Sequence, residues 1–248
     1  MELFSVKERT VFITGASRGI GKALALGFKN AGAFVIGTGR SDKSISWMNN
    51  VGIRGVVLDV CDKDQVQIVL KDSAQETGRL DCLINNAGLT AQTPMSLIKD
   101  DEVDELISTN LKGLIHTSQV FYELQKNKGG SIINIASIFA HSVVPATGTY
   151  CASKGAVLQI TRSMAVEWAR KKIRVNAICP GFFEAGMASD RMKRPSTETR
   201  LKSAIPMGRL GNSDELTGAA IFLASSASSY LTGQSIIIDG GVLSQIKV

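Results

Sequence analysis

Tyr150 and Lys154 stand four residues apart in the stretch "GTYCASKGAV" (148–157). In a helix, positions i and i+4 share one face, which would bring the Lys154 ammonium close to the Tyr150 hydroxyl. A nearby positive charge favours phenolate and is expected to lower a tyrosine pKa that ordinarily lies near about 10. Such a hydroxyl could give and take a proton near neutral pH. The plainer alternative is a Tyr–Lys pair on a solvated helix, so other reactive groups must converge on it for the chemistry to hold. Ser137, which ends the run "SIINIAS" (131–137), is a candidate partner. A hydroxyl at a strand end can hydrogen-bond a carbonyl oxygen as negative charge develops there.

A second constellation lies near the start, in "TGASRGIG" (14–21). Gly15 suits a tight turn, Gly19 lets backbone approach a phosphate, and Gly21 lets a helix pack close to a strand. The helix N-terminus beyond them offers free N–H groups and a positive dipole end to a pyrophosphate. The spacing departs from GxGxxG, so the strand–turn–helix context carries the reading of a nucleotide site. An acidic residue about twenty positions further on would bind ribose hydroxyls and select NAD. Here the next apolar run ends "GTGRS", with Arg40 where the acid would be sought and Arg18 inside the glycine loop. Two guanidiniums without a carboxylate suit a 2′-phosphate, because arginine forks phosphate oxygens. The expected cofactor is therefore NADP(H) rather than NAD(H).

Short apolar runs must position these groups: 10–14, 33–38, 53–58, 81–85, 131–137, 173–179 and 234–239. Their near-continuous apolarity predicts strands buried on both faces, as in a parallel sheet. Helices are predicted over 19–31, 62–77 (with Asp62 as N-cap), 100–126, 150–171 and 213–225. This alternation predicts an α/β fold: one Rossmann-type, doubly wound parallel sheet of about seven strands with helices on both faces. No linker or repeat divides the chain, so residues 1–248 are expected to form one cofactor-binding and catalytic domain. The segment 182–211, with two prolines and mixed polarity, interrupts the rhythm and is expected to be a substrate lid or loop.

Composition narrows the classes. The chain has 248 residues, 44% hydrophobic and 20% charged, with a net charge of +6, which is ordinary for a globular protein. Its basic residues are scattered apart from "RKK" (170–172) and "RMKR" (191–194), and aromatics make up only 6%. A nucleic-acid binder built on stacking rings between basic side chains is therefore not expected. Four cysteines lack CxxC spacing and only two histidines occur, so no metal site is expected. Cys82 and Cys179 lie in apolar runs and read as buried thiols. No apolar run has the length of a membrane span, and no signal core is evident, so a cytoplasmic protein without membrane insertion is expected. His141 lies between Ser137 and Tyr150 but reads first as a surface-loop residue, and Trp168 as a packed one.

The ordered set "TGASRGIG", "LDV" (58–60), "NNAG" (85–88), "STN" (108–110), Ser137, Tyr150-x-x-x-Lys154, "PG" (180–181) and "TGQSIIIDGG" resembles the short-chain dehydrogenase/reductase family across almost the whole chain. The resemblance implies hydride transfer between a nicotinamide and a ketone or secondary alcohol. It implies Asn110, Ser137, Tyr150 and Lys154 as the catalytic set, with Asn110 holding a proton-relay water and Lys154 also binding the nicotinamide ribose. Implied cofactor contacts are Gly15, Ser17, Arg18, Gly19, Ile20, Gly21, Arg40, Asp59, Val60, Asn86, Ala87, Gly88, Tyr150, Lys154, Pro180, Gly181 and Phe183. One departure is Ala185, where many members carry threonine; Ser189 could replace its bond, and Met187 and Met192 could cover the pocket.

The resemblance is strongest toward 3-oxoacyl-acyl-carrier-protein reductases, an assignment that an acidic carrier meeting Arg162, Arg170, Lys171 and Lys172 would suit. Segments such as "FSVKERT" and "AVEWARKKIRVNAICPG" are shared with sugar-acid dehydrogenases, the alternative. A catalytically silent regulatory module is the different-class alternative, and it would be signalled by loss of Ser137, Tyr150 or Lys154. The family further implies a homotetramer through the long helices near 103–126 and 150–171.

Overall fold

A computed structural model describes residues 2–184 and 195–245. Seven strands form one parallel sheet: β1 (Thr10–Ile13), β2 (Phe34–Gly39), β3 (Arg54–Val57), β4 (Cys82–Asn85), β5 (Gly130–Ile135), β6 (Ile173–Pro180) and β7 (Ser235–Ile238). Their spatial order is β3-β2-β1-β4-β5-β6-β7. The order reverses between β1 and β4, which opens a crevice at the carboxyl ends of the strands where ligands of doubly wound sheets bind. β1, β4 and most of β5 and β6 are buried, which explains why these runs lack a two-residue apolar period.

Eight α-helices occur among the described residues: α1 (Gly19–Asn30), α2 (Asp42–Asn50), α3 (Lys63–Thr77), α4 (Asp100–Ile107), α5 (Gly113–Gln125), α6 (Gly148–Trp168), α7 (Pro195–Ala204) and α8 (Thr217–Ala224). One apolar layer packs α1, α2 and α8 on the sheet through Leu24, Phe28, Met48 and Leu223. The other packs α3, α5 and α6 through Leu70, Phe121, Val157 and Met164. Asp62 caps α3 by accepting from the Gln65 N–H at 2.9 Å, as its position in the sequence predicts.

Three predictions of elements need correction. The helix expected over 100–126 is interrupted by a π-helical turn, Ser108–Lys112, which apolar periodicity does not reveal. Helix α2 was not predicted; only Ile45 and Met48 of its nine residues are buried, too little apolar pattern to read. The lid segment 182–211 contains α7, concealed by its polar composition, although proline is at home in a first helical turn. The sequence positions Ala185, Met187, Ser189 and Met192 lie outside the described residues.

Candidate active site

Glycine packing builds the nucleotide end. Gly15 adopts φ 64° in the turn after β1. A side chain on Gly21 would collide with the Gly15 carbonyl oxygen and the Asn86 amide, so α1 can start directly beneath the loop only with glycine there. The Asn86 amide nitrogen donates to the Thr14 and Gly15 carbonyl oxygens at 3.1 and 2.8 Å. Thr14 Oγ1 accepts the N–H groups of Asn86 and Ala87, each at 3.0 Å. The "NNAG" segment after β4 is thereby bound to the glycine loop after β1. Thr14 carried no signal of this role in the sequence.

Ser137 follows β5 and opens a short 3₁₀ turn, Ile138–Ala140, accepting the Phe139 N–H at 3.2 Å. Tyr150 lies in the first turn of α6 and is 7% exposed; Lys154 is 3% exposed. The Lys154 ammonium donates to the Ile135 carbonyl oxygen at 2.8 Å and stands 5.9 Å from the centre of the Tyr150 ring. The helical spacing therefore does bring the pair together.

The expected electrostatic outcome is corrected. Burial pushes the Tyr150 hydroxyl up to about 12, against the opposing effect of its hydrogen bond with Ser137. Burial likewise lowers Lys154 to about 8. Desolvation disfavours both charged forms and, at Tyr150, outweighs the hydrogen bond with Ser137. Near neutral pH the pair is a neutral phenol beside an ammonium, a proton donor in waiting.

Asn110 sits in the π turn, a feature often found at functional sites. Its amide nitrogen donates to the Leu89 carbonyl oxygen and to Ser153 Oγ, each at 3.0 Å, and its Oδ1 accepts the Leu89 N–H at 2.7 Å. It thus links the loop after "NNAG" to the helix of Tyr150 and stands behind the cavity wall. Below it, Asn85 and Asn134 face each other across β4 and β5, joined at 2.9 Å.

One cavity of about 1290 Å³ runs through the site. Its walls include every other catalytic and cofactor-contact residue named from the sequence: Gly15, Ser17, Arg18, Gly19, Ile20, Gly21, Arg40, Asp59, Val60, Asn86, Ala87, Gly88, Ser137, Tyr150, Lys154, Pro180, Gly181 and Phe183. The volume, the two arginines at one end and the Ser137–Tyr150–Lys154 cluster at the other fit a phosphorylated pyridine dinucleotide laid across the strand ends. A Cβ on Gly88 would come within 3.2 Å of Asn110 Oδ1 and 3.6 Å of Lys154 Nζ, so a side chain there would press on the Asn110 amide.

Sequence reading missed an apolar wall at the reactive end: Phe139, Val144, Pro145, Phe182 and Leu201 line the same cavity. The Phe139 ring meets Tyr150 edge-on at 6.3 Å and Phe182 at 6.0 Å between centres. Their closeness to Ser137 and Pro180–Gly181 in the chain was the available signal. His141 is exposed, and its Nε2 stands 3.7 Å from Cys179 Sγ, off the main cavity. Trp168 packs against Tyr122 of α5 with ring centres 4.9 Å apart. Arg170, Lys171 and Lys172 lie at the far end of α6, about 30 Å from Tyr150 at 1.5 Å per residue, and so do not frame the cavity.

A family model described as Enoyl-(Acyl carrier protein) reductase matches residues 15–243. The 3-oxoacyl-[acyl-carrier-protein] reductase of Thermotoga maritima is 39% identical over 95% of this chain and 98% of its own length. The gluconate 5-dehydrogenase of Gluconobacter oxydans is 35% identical over 97% of each chain. The chain belongs to the short-chain dehydrogenase/reductase family. Among solved structures, the gluconate 5-dehydrogenase of Burkholderia cenocepacia in complex with NADP and tartrate superposes with a TM-score of 0.94 at 33% identity, over 99% of both chains. As a member of this family the protein is an oxidoreductase acting on alcohol and ketone groups.

Proposed function

We propose that this protein reduces the ketone of a 3-oxoacyl thioester, presented on acyl carrier protein, at the expense of NADPH. The observation that carries the choice of substrate is the wall of Phe139, Val144, Pro145, Phe182 and Leu201 beside Ser137 and Tyr150. Such a surface suits an acyl chain and offers little to a row of hydroxyls. Solved relatives crystallised with NADP, together with Arg18 and Arg40, support the choice of cofactor.

Each residue then has a defined task. A nicotinamide held in this cavity would supply the hydride. Arg18 and Arg40 take the 2′-phosphate, while the loop Gly15–Gly21 receives the pyrophosphate on the N-terminus of α1. Asp59 and Val60 bound the adenine, and Asn86–Gly88, Pro180, Gly181 and Phe183 bound the nicotinamide half. Ser137 Oγ–H donates to the ketone oxygen as it gains charge. The Tyr150 O–H, neutral at working pH, delivers its proton to that oxygen. Lys154, held by the Ile135 carbonyl, stabilises the phenolate so formed and bonds the ribose. Asn110, whose side-chain amide is taken up by Leu89 and Ser153, acts from behind them as a positioning residue.

A second reading, oxidation of a sugar acid, is favoured by Thr90, Gln92 and Arg200 lining the same cavity. Mixing the protein with NADPH and acetoacetyl-CoA, and separately with NADP and gluconate, decides between them. Loss of NADPH absorbance in the first and silence in the second is expected; the reverse would overturn the acyl reading. A homotetramer in the cytoplasm, assembled through α4, α5 and α6, completes the proposal. A light-scattering mass equal to the monomer would overturn that assembly.

A further inference from the structure

Helix α2, which begins just after Arg40, carries Trp47, and this side chain makes a contact that the cofactor set above does not account for. The indole N–H donates to the Ser17 carbonyl oxygen at 3.1 Å, joining α2 to the glycine loop across 30 residues. The Lys22 ammonium stands 4.6 Å above the same ring. The approach is close because β2 ends in glycine: a Cβ on Gly39 would lie 2.5 Å from Ser44 Oγ and 3.3 Å from Ser17 Cβ.

The consequence concerns two arginines on separate segments. Arg18 follows Ser17 with an extended backbone, φ −158° and ψ 177°, and Arg40 is the residue before the Ser41 cap of α2. In a trans peptide the C=O and the next N–H point in opposite directions. Holding the Ser17 oxygen toward the indole therefore fixes the plane from which Arg18 departs. At the other end of α2, the Ser41 N–H donates to Ser44 Oγ at 3.2 Å, and Ser44 Oγ–H donates to the Ser41 carbonyl oxygen at 2.6 Å. That box fixes the chain leaving Arg40. Arg18, Arg40, Ser41 and Ser44 all line one end of the cavity. Two guanidiniums that share one phosphate must keep a set separation, and α2 braces both.

We propose that Trp47 is a positioning residue for recognition of the cofactor's 2′-phosphate. It holds Arg18 at the spacing from Arg40 that a phosphomonoester requires, and so contributes to affinity for NADPH and not for NADH. NADH has no group for that arginine pair to share, so its affinity does not feel their spacing. The inference rests on the NADP(H) reading above.

Isothermal titration of the full chain with NADPH and with NADH tests it, in the wild type and in Trp47→Phe. Phenylalanine keeps an aromatic ring near Lys22 and removes the N–H together with one ring of the indole. The NADPH Kd is expected to rise about fivefold, the scale of one lost hydrogen bond, while the NADH Kd stays within about twofold. Equal weakening of both nucleotides would make Trp47 a general packing residue and overturn the inference, as would no change in either. Lys22→Met leaves the indole N–H in place and is expected to preserve the NADPH-to-NADH ratio. A collapse of that ratio would assign the discrimination to the Lys22 charge and also overturn the inference. A wild type without preference for NADPH would sink the cofactor reading itself, and the wild-type titration alone distinguishes that failure from the others.

Discussion

The alkaline limit of catalysis is expected to belong to Lys154. Its burial lowers it to about 8, whereas the Tyr150 hydroxyl keeps its proton up to about 12. Between these values the free enzyme loses a cation beside the phenol and retains the phenol's proton. In reduction Tyr150 must end as phenolate, so removing the ammonium raises the barrier. For full charges at the 5.9 Å that separates the ammonium from the ring centre, Coulomb's law gives about 3 kcal/mol at an effective dielectric of about 20. That corresponds to at most about 100-fold in rate. The assay is kcat/KM for NADPH at fixed ketone across pH 6–10, because this parameter reports the free enzyme's groups. A plateau below pH 8 and a fall above it are expected in the wild type. In Lys154→Arg the plateau should be lower but level through pH 10, since a guanidinium keeps its proton beyond about 12. A wild-type profile flat to pH 10, or an inflection near 8 that persists in Lys154→Arg, would refute the assignment.

Phe139→Ala is expected to lower kcat/KM for 3-oxoacyl thioesters about tenfold while leaving the NADPH Kd within about twofold, because the lost ring packs on Tyr150 and lines the reactive end of the cavity; an unchanged kcat/KM would refute the apolar wall as their subsite. Thr161→Val removes the partner that Asn134 Nδ2 reaches at 2.8 Å, and leaving that buried amide unpaired should cost about 1–3 kcal/mol in urea unfolding; an unchanged midpoint would refute it. Stability of the ligand-free protein should rise with pH just above 8, because unfolded Lys154 (10.5) binds a proton that the folded residue (about 8) has lost. Above pH 9 the buried thiols Cys82 and Cys179, pushed up to about 12 and about 11, reverse the slope, since the folded state then holds the extra protons. Urea midpoints from pH 7.5 to 10 check both limbs, and Lys154→Met should lose the rising one.

How much of this was legible in the sequence depended on the range of the forces involved. The inner strands β1, β4, β5 and β6 were readable because burial on both faces leaves a continuous apolar run, as in "TVFIT" and "IRVNAIC". Tyr150 and Lys154 were readable as neighbours because helical spacing is a local property. The direction of their pKa shifts was not, since burial comes from β5, the 3₁₀ turn at Ser137 and the cavity walls, all distant in sequence. Helix α2 escaped because it buries little. The π turn at Asn110 escaped because one altered hydrogen-bond register leaves apolar spacing almost untouched. The wall of Phe139 and Phe182 required knowing that two loops, 43 residues apart in the chain, meet at adjacent strand ends.

The placement of Tyr150 shows why polar groups are buried in this core. Apolar packing holds α6 against the sheet but is non-directional, and a helix so held can roll or slide at small cost. Three polar contacts along α6 oppose this: Ser153 with Asn110, Lys154 with the Ile135 carbonyl, and Thr161 with Asn134. They reach two different elements, the π turn and the last two residues of β5, over about 12 Å of helix at 1.5 Å per residue. Hydrogen bonds in a dry interior are geometrically demanding and costly to break, so together they fix both the rotation and the axial position of α6. Asn134 in turn bonds Asn85, and Asn85 accepts from Thr117 at 2.6 Å and donates to Ser118 at 3.0 Å on α5. The helix of Tyr150 and the helix following the π turn are therefore registered to the same pair of strands. A hydroxyl that must meet a ketone oxygen within hydrogen-bond tolerance needs such registration, which the apolar layer alone does not supply.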